Sequence, residues 1–418
     1  MADRTEVLRS QLSRQVWHWT LAAARLAELD ALASREAWRQ LEQYLGVTVR
    51  KKLADSSERL AKRGTLLRAA LQAASNRAEL EAVNALLLEY RRNYLHTEKT
   101  LDFYADAIRT RTDAVLGALL RACDMLAYRS MSMVLDQLDL RTPVVLTYMQ
   151  GDVGASILKA GLRLWDGSDS PTAVIKATRH NLHPGTALFH ESGHQVAHLT
   201  GWTEDLAEAF RTKLCDDRQL AGNWAGWASE IVADVHAFVH TGFAAVASLH
   251  DVLAGDDRMV FRFIPGDPHP LAYLRVLLGV EMCRHAYGAG PWDDLAGAWI
   301  EFHPLEHAGE DAAALIRESI PIIPRVAELS LRHPVRGFRG RSICDLVNPD
   351  RVNPARLVEM ERQLGAALYT STQWIWTESI RLLALAGLRM ATMPDRAAQI
   401  VAQQQAWMMT LGGAAQAA

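Results

Sequence analysis

The chain has 418 residues with 45 basic and 48 acidic side chains, and this near balance, a formal net charge of −3, indicates neither a nucleic-acid-binding surface nor a polyanionic partner. Its four cysteines are scattered without a C-x-x-C pair, which suits a reducing compartment and excludes a cysteine zinc finger. No run approaches the length of a membrane span and the N-terminus is polar, so we expect a cytoplasmic protein, an expectation that leaves room for export by a dedicated secretion system.

The first region, residues 1–142, contains no proline and only three glycines, which predicts long helices with few breaks. Apolar residues recur there at helical spacing in two sets: Leu8, Leu12, Val16, Trp19 and Leu26, then Leu80, Val83, Leu87 and Tyr90. We expect three or four antiparallel helices that form a bundle or an elongated arm. This arm either is a scaffold that packs on the rest of the protein or is a docking surface for a regulatory partner.

Two short apolar runs follow, at residues 143–149 and 172–178, with glycine and aspartate between them. Their composition predicts two strands. Beyond Pro291 the chain again has a mostly helical pattern. We therefore predict a mainly α protein of α+β type with three regions: the helical bundle 1–142, a core with a small sheet at 143–290, and a helical region at 291–418.

The core region contains His190-Glu191-Ser192-Gly193-His194. Two histidines four residues apart project from one face of a helix and can hold a single Zn²⁺ through their imidazole nitrogens. The intervening Glu191 would then be a general base on a zinc-bound water. His198 continues the spacing, but it lies about 12 Å along the helix axis from His190. We therefore interpret His198 as a structural residue.

A second helical pattern at 227–238 places Glu230 and Asp234 on one face, four residues apart. Zinc that is held by two histidines needs a third protein ligand, and a carboxylate is suitable. Histidine ligands also need an acceptor that orients the second ring nitrogen. One helix that offers Glu230 to the metal and Asp234 to a ligand histidine would meet both needs, so we predict Glu230 as the third ligand and Asp234 as an orienting carboxylate.

His-Glu-x-Gly-His followed by Glu-x-x-Ala-Asp resembles the gluzincin zinc metallopeptidases, in particular the HtpX-like and CAAX-prenyl-protease type, over roughly residues 172–280. A third motif of that branch, His-Pro with an arginine five residues after the proline, is present as His269-Pro270 and Arg275. The resemblance implies a zincin-like core, bound Zn²⁺ and a protein or peptide substrate. Members of that branch often have transmembrane segments near the core. This chain shows none, so their substrate classes are not transferred.

The resemblance also implies roles around the metal. His190, His194 and Glu230 would bind zinc and Glu191 would be the general base, while Asp234 would orient His190, with His194 as the other possibility. His269 either donates a hydrogen bond to the oxyanion of the substrate or belongs to a helix-entry turn. Arg275 either braces the site through a carboxylate or meets a carboxylate of the substrate. Asn181, just before the histidine helix, either contacts substrate or lies in a helix-entry loop. In zincins the strand before that helix is an edge strand that pairs with substrate backbone, and we expect this of the strand at 172–178.

Three functions are compatible with these motifs. The leading hypothesis is a zinc-dependent endopeptidase. The second is a catalytically silent helical interaction protein with a structural zinc site. The third is a di-iron carboxylate protein, because Glu191-x-x-His194 is half of such a site in helical bundles. That arrangement needs a second Glu-x-x-His, and none occurs elsewhere in the chain.

Overall fold

The computed structural model describes residues 4–150, 155–161, 165–180, 182 and 185–417. The protein is mainly helical with one small three-stranded sheet, which confirms the predicted fold class at this level. Within the described ranges, no helix is both long and apolar enough to cross a membrane. The chain divides into two compact units, Met1–Asp113 with Leu158–Val174 and Ala114–Ile157 with Ile175–Ala418.

Unit 1 is a helical bundle in which three long helices, α1, α4 and α5, enclose a leucine-rich core. Its helices are α1 Arg4–Leu26, α2 Leu29–Leu32, α3 Arg35–Leu45, α4 Arg50–Ala73 and α5 Arg77–Thr110. Most of the predicted apolar positions are confirmed as buried, among them Leu12, Val16 and Leu87. Leu8 is an exception at 41% exposed, and Trp19 and Leu26 are only partly buried against the same core.

An ion pair joins Leu158–Val174, the second segment of unit 1, to helix α4 of the same unit. The buried carboxylate of Asp166 accepts hydrogen bonds from Arg59, at 2.8 Å, and from the hydroxyl of Ser168, at 2.6 Å. Burial alone would raise the pKa of Asp166, but the hydrogen bonds from Ser168 and Arg59 outweigh it and lower this pKa to about 2. Asp166 is therefore a stabilising anion at neutral pH.

Unit 2 contains the remaining helices, strand β1 and parts of strands β2 and β3. The first half comprises α6 Ala114–Leu135, β1 Val145–Met149, β2 Ser156–Leu158, β3 Ala173–Ala177, α7 Thr186–Thr200, α8 Trp202–Lys213, α9 Arg218–Gly226, α10 Ala228–Thr241, α11 Phe243–Leu253 and α12 Asp257–Val260. The second half comprises α13 Ala272–Tyr287, α14 Pro291–Phe302, α15 Glu310–Ser319, α16 Ile323–Arg332, α17 Ile343–Leu346, α18 Pro354–Leu364, α19 Ala367–Thr370, α20 Thr372–Thr392 and α21 Ala397–Ala417. The bounds of β2 and β3 show that the chain passes between the units at these two strands.

Helix α6 packs in unit 2 against α21, α7 and β1, whereas the sequence pattern places it with the helices before it. The contact with α21 is close. A Cβ atom on Gly412 would lie 1.8 Å from the carbonyl oxygen of Ala118, so only glycine fits there. Arg121 donates from Nε to the carbonyl oxygen of Gly412 at 3.1 Å. Helical periodicity identifies the buried face of α6 but not the partner that covers it.

The sheet has the strand order β1-β3-β2. Strand β3 is therefore central, and all five of its residues are buried. The prediction of an edge strand directly before the histidine helix is wrong, because β1 and β2 occupy both hydrogen-bonding edges of β3. A substrate backbone cannot pair with β3 by strand addition.

Candidate metal centre

Helices α7 and α10 cross in direct contact, and this crossing builds the candidate centre. A Cβ atom on Gly193 would lie 2.8 Å from both the Cα of Ala233 and the Cβ of His236. Only glycine therefore allows this approach. The contacts of His190 with Asp234 and of His194 with Glu230 show that the two helices run antiparallel. The sequence analysis quoted Gly193 as part of the His-Glu-x-Gly-His motif but gave it no structural role.

The three predicted ligands converge across this crossing. His190 Nε2 lies 3.4 Å from Glu230 Oε2, and His194 Nε2 lies 3.3 Å from Glu230 Oε1. Atoms bound at about 2.1 Å to one tetrahedral ion are about 3.4 Å apart. Among the described residues, this is the one group of three histidine, cysteine or acidic side chains whose ligand atoms all lie within 4.8 Å of one another. The donor set and its spacing therefore fit a zinc ion.

Asp234 holds one of these histidines in place. His190 Nδ1 donates a hydrogen bond to Asp234 Oδ1 at 2.8 Å, which leaves Nε2 facing the centre. A carboxylate behind a histidine ligand fixes the ring and its tautomer. Of the two alternatives left open by the sequence, the structure places Asp234 on His190.

Arg275, on α13, joins both carboxylates of α10. It donates from Nε and Nη2 to Asp234 at 2.6 and 2.8 Å, and from Nη2 to Glu230 at 3.2 Å. Its side chain is only 8% exposed. A buried guanidinium that is engaged in this way orients Asp234 and Glu230 and has no face turned to a substrate carboxylate. The geometry favours the bracing alternative.

The electrostatics of the centre favour bound positive charge. Burial raises the pKa of Glu230, but hydrogen bonds from His190 and His194 and the charge of Arg275 outweigh it and hold this pKa well below its ordinary value. Burial acts in the same way on Asp234, and Arg275 and His190 outweigh it and lower the pKa of Asp234. Burial lowers the pKa of His190, while hydrogen bonds to Asp234 and Glu230 raise it to about 10. The two anionic carboxylates thus stabilise the protonated, positively charged form of His190. A bound metal ion would supply this positive charge instead.

Glu191 is buried on α7 between the two candidate ligands in sequence, at 6% exposed. Burial raises its pKa, and the neighbouring His190 and His194 act in the opposite direction. A carboxylate with a raised pKa is a better proton acceptor than one in water, which suits a general base.

His269 lies in the loop before α13 and is 60% exposed at its side chain. Its Nδ1 donates to Asp267 Oδ1 at 2.8 Å, and its Nε2 lies 3.8 Å from Glu230 Oε1. The ring is therefore both anchored in a helix-entry turn and placed beside the centre. His198 is exposed on the outer part of α7, away from the group of ligand atoms. Asn181 lies outside the described residues.

His236 is a further residue that the sequence analysis missed. It is fully buried on α10, and its Nδ1 donates at 2.9 Å to the carbonyl oxygen of Phe189, the residue directly before His190. Burial lowers its pKa well below the ordinary value, so the ring stays neutral. His236 ties the backbone of α7 to α10 next to a candidate ligand. In the sequence, the indication of this role was the position of His236 two residues after Asp234 on the same helix.

Comparison of the chain with protein-family models, with curated proteins and with solved structures finds no match. The resemblance to gluzincins rests on the motifs alone, and the functional argument rests on the geometry of the centre.

Proposed function

We propose that the protein is a zinc-dependent peptidase whose centre is formed by His190, His194 and Glu230. The observation that carries the proposal is the convergence of two imidazole Nε2 atoms and one carboxylate at the spacing of a tetrahedral ion, with the buried Glu191 between the two histidines. Three protein ligands leave a fourth position open, as catalytic zinc sites require.

Zinc, when bound, supplies a Lewis acid that polarises a carbonyl oxygen and makes water more acidic. Glu191 accepts the proton of the water that attacks the scissile carbonyl carbon, and then passes it to the leaving amine nitrogen as the C–N bond breaks. His269 is the candidate donor to the oxyanion of the substrate, because Asp267 anchors its Nδ1 and its Nε2 lies 3.8 Å from Glu230 Oε1, beside the centre.

The residues around the ligands have supporting roles. Asp234 keeps Nε2 of His190 turned to the ion. Arg275 neutralises part of the charge of Glu230 and Asp234, so that the centre with a divalent ion carries little excess charge. A di-iron centre would need a further set of ligands, and the part of the chain that the structure describes holds one group of three.

The experiment compares metal content and peptide hydrolysis in four proteins: wild type, Glu230→Ala, Glu191→Gln and the control Glu318→Gln. Glu318 is an exposed acid on α15. We expect about one zinc per chain in wild type, Glu191→Gln and the control, and loss of zinc in Glu230→Ala. Cleavage of a mixed peptide library should occur in wild type and the control and be absent in Glu191→Gln.

Each outcome has a distinct meaning. Full zinc occupancy in Glu230→Ala removes Glu230 from the ligand set. Zinc with equal cleavage in wild type and Glu191→Gln removes Glu191 from the role of general base. Two irons per chain, or no metal in any of the four proteins, overturns the proposed function.

A further inference from the structure

Unit 2 contains a cavity of about 940 Å³ that is separate from the candidate metal centre. It lies among α11, α14, α20 and α21, and His180 reaches it from the segment before α7. None of the three candidate ligands lines it. Its volume falls in the range of about 300–1,000 Å³ that is typical of small-molecule sites.

Small residues line the cavity where two of its helices meet. Ala244 on α11 lies against Gly387 on α20, and Ala247 also lines the cavity. A Cβ atom on Gly387 would lie 2.4 Å from the Cβ of Ala244, so the two helices touch there and only glycine fits. The larger lining side chains Phe243, Leu295, Met390 and Val401 are apolar, so most of the wall is apolar. An apolar body therefore gains free energy by entering this cavity.

The charged groups of the lining have one sign. Asp251 and Asp294 are both exposed, at its mouth, and no lysine or arginine of the described chain lines it. Asp293, the neighbour of Asp294, is bound by Arg284 at 2.6 Å. Asp294 itself has no ion pair within the described residues, and Asp251 has only the His250 ring, 3.3 Å away. The two aspartates of the lining thus have no lysine or arginine partner among the described residues, although His180 and His250 also line the cavity.

We propose that this cavity binds a small molecule that has an apolar body and one positively charged amine. The body lies among the apolar lining side chains, and the ammonium group pairs with the carboxylates of Asp251 and Asp294. Charge complementarity at the mouth selects the amine over an alcohol or a carboxylate of the same chain length. The proposal does not depend on the metal centre, so it holds for the zinc-free protein as well.

The test is isothermal titration calorimetry of the full chain with three matched probes: octylamine, octanol and octanoate at pH 7. We expect octylamine to bind about tenfold more tightly than octanol, since two acids at a solvent-exposed mouth together contribute roughly that factor. Octanoate should bind more weakly than octanol. The same order is expected after removal of metal with a chelator.

Three variants locate the site. Asp251→Asn with Asp294→Asn should remove the preference for octylamine over octanol while octanol binding persists. The matched control Asp216→Asn with Glu318→Gln removes two exposed acids outside the cavity and should keep the preference. Ala247→Trp fills the cavity and should abolish binding of both probes.

Circular dichroism and thermal unfolding verify that each variant is folded. If Ala247→Trp fails to fold, Ser248→Leu, which reduces the cavity from a half-buried position, replaces it. Absence of binding by every probe overturns the cavity as a ligand site. Equal affinity for octylamine and octanol in wild type, or an unchanged preference in the Asp251 and Asp294 variant, overturns the selection for a cation.

Discussion

Replacing Gly193 with alanine adds one methyl group at the point where α7 and α10 cross. The new Cβ would lie 2.8 Å from the Cα of Ala233, whereas ordinary contact begins near 3.4 Å, so the helices must separate by about 0.6 Å. Metal sites tolerate ligand displacements of only about 0.2 Å. We expect zinc affinity to fall by about 10–100-fold, the range found when the support of a ligand is disturbed. A competition titration with a chromophoric chelator measures this.

The stability of the metal-free protein should change much less. Overpacking costs about 1–3 kcal/mol, and the better helix propensity of alanine offsets about 1 kcal/mol of it. The control is Gly297→Ala on α14, where an added Cβ meets no atom within 4 Å. That variant should gain up to about 1 kcal/mol and keep the zinc affinity of wild type. If Gly193→Ala binds zinc as tightly as Gly297→Ala does, the close crossing is not what positions the ligands.

Three further predictions concern buried charge and metal. Arg275→Met should lower the unfolding free energy of the chelator-treated protein, measured in urea, by about 3–5 kcal/mol, because two buried carboxylates lose their partner. The control Arg284→Met, at an exposed ion pair, should lower it by less than about 1 kcal/mol. Similar losses in the two variants would refute the bracing role of Arg275. The pKa of Asp166 is lowered from 3.8 to about 2, so its contribution of about 1–2 kcal/mol to the unfolding free energy should be present above pH 4 and disappear as the pH falls towards 2. A difference in unfolding free energy between wild type and Asp166→Asn that persists at pH 2 would contradict this. Zinc at about 1,000 times its Kd should raise the unfolding free energy of wild type by about 4 kcal/mol and leave His194→Ala unchanged; an equal rise in both would place zinc elsewhere.

The parts of the site that lie on single helices could be predicted from the sequence. The spacing of His190 and His194, and of Glu230 and Asp234, fixes which side chains share a face, because the helical period is a local property. Which carboxylate oxygen meets which ring nitrogen depends on how two helices cross. The signal for that crossing was present in Gly193, whose lack of a side chain has meaning only once Ala233 lies against it.

The fold was predictable to the same extent. Periodicity identified the core positions of α5, since Leu80, Val83 and Leu87 are buried as expected. It could not tell that α6 belongs to unit 2, because an apolar stripe does not specify its partner. The sequence also could not predict that β3 is the central strand, because strand order depends on pairing between segments that are distant in sequence.

The contact between α6 and α21 constrains the order in which the protein can form during synthesis. Helix α6 ends at Leu135 and α21, which covers it through Gly412 and Ala118, begins at Ala397, so the whole chain between them is made before this contact can form. The bundle core of α1, α4 and α5 can close while most of unit 2 is still being translated. Until α21 arrives, the apolar face of α6 stays open to solvent or to a chaperone. Because α6 also packs against α7, this open face lies next to the helix that carries His190 and His194.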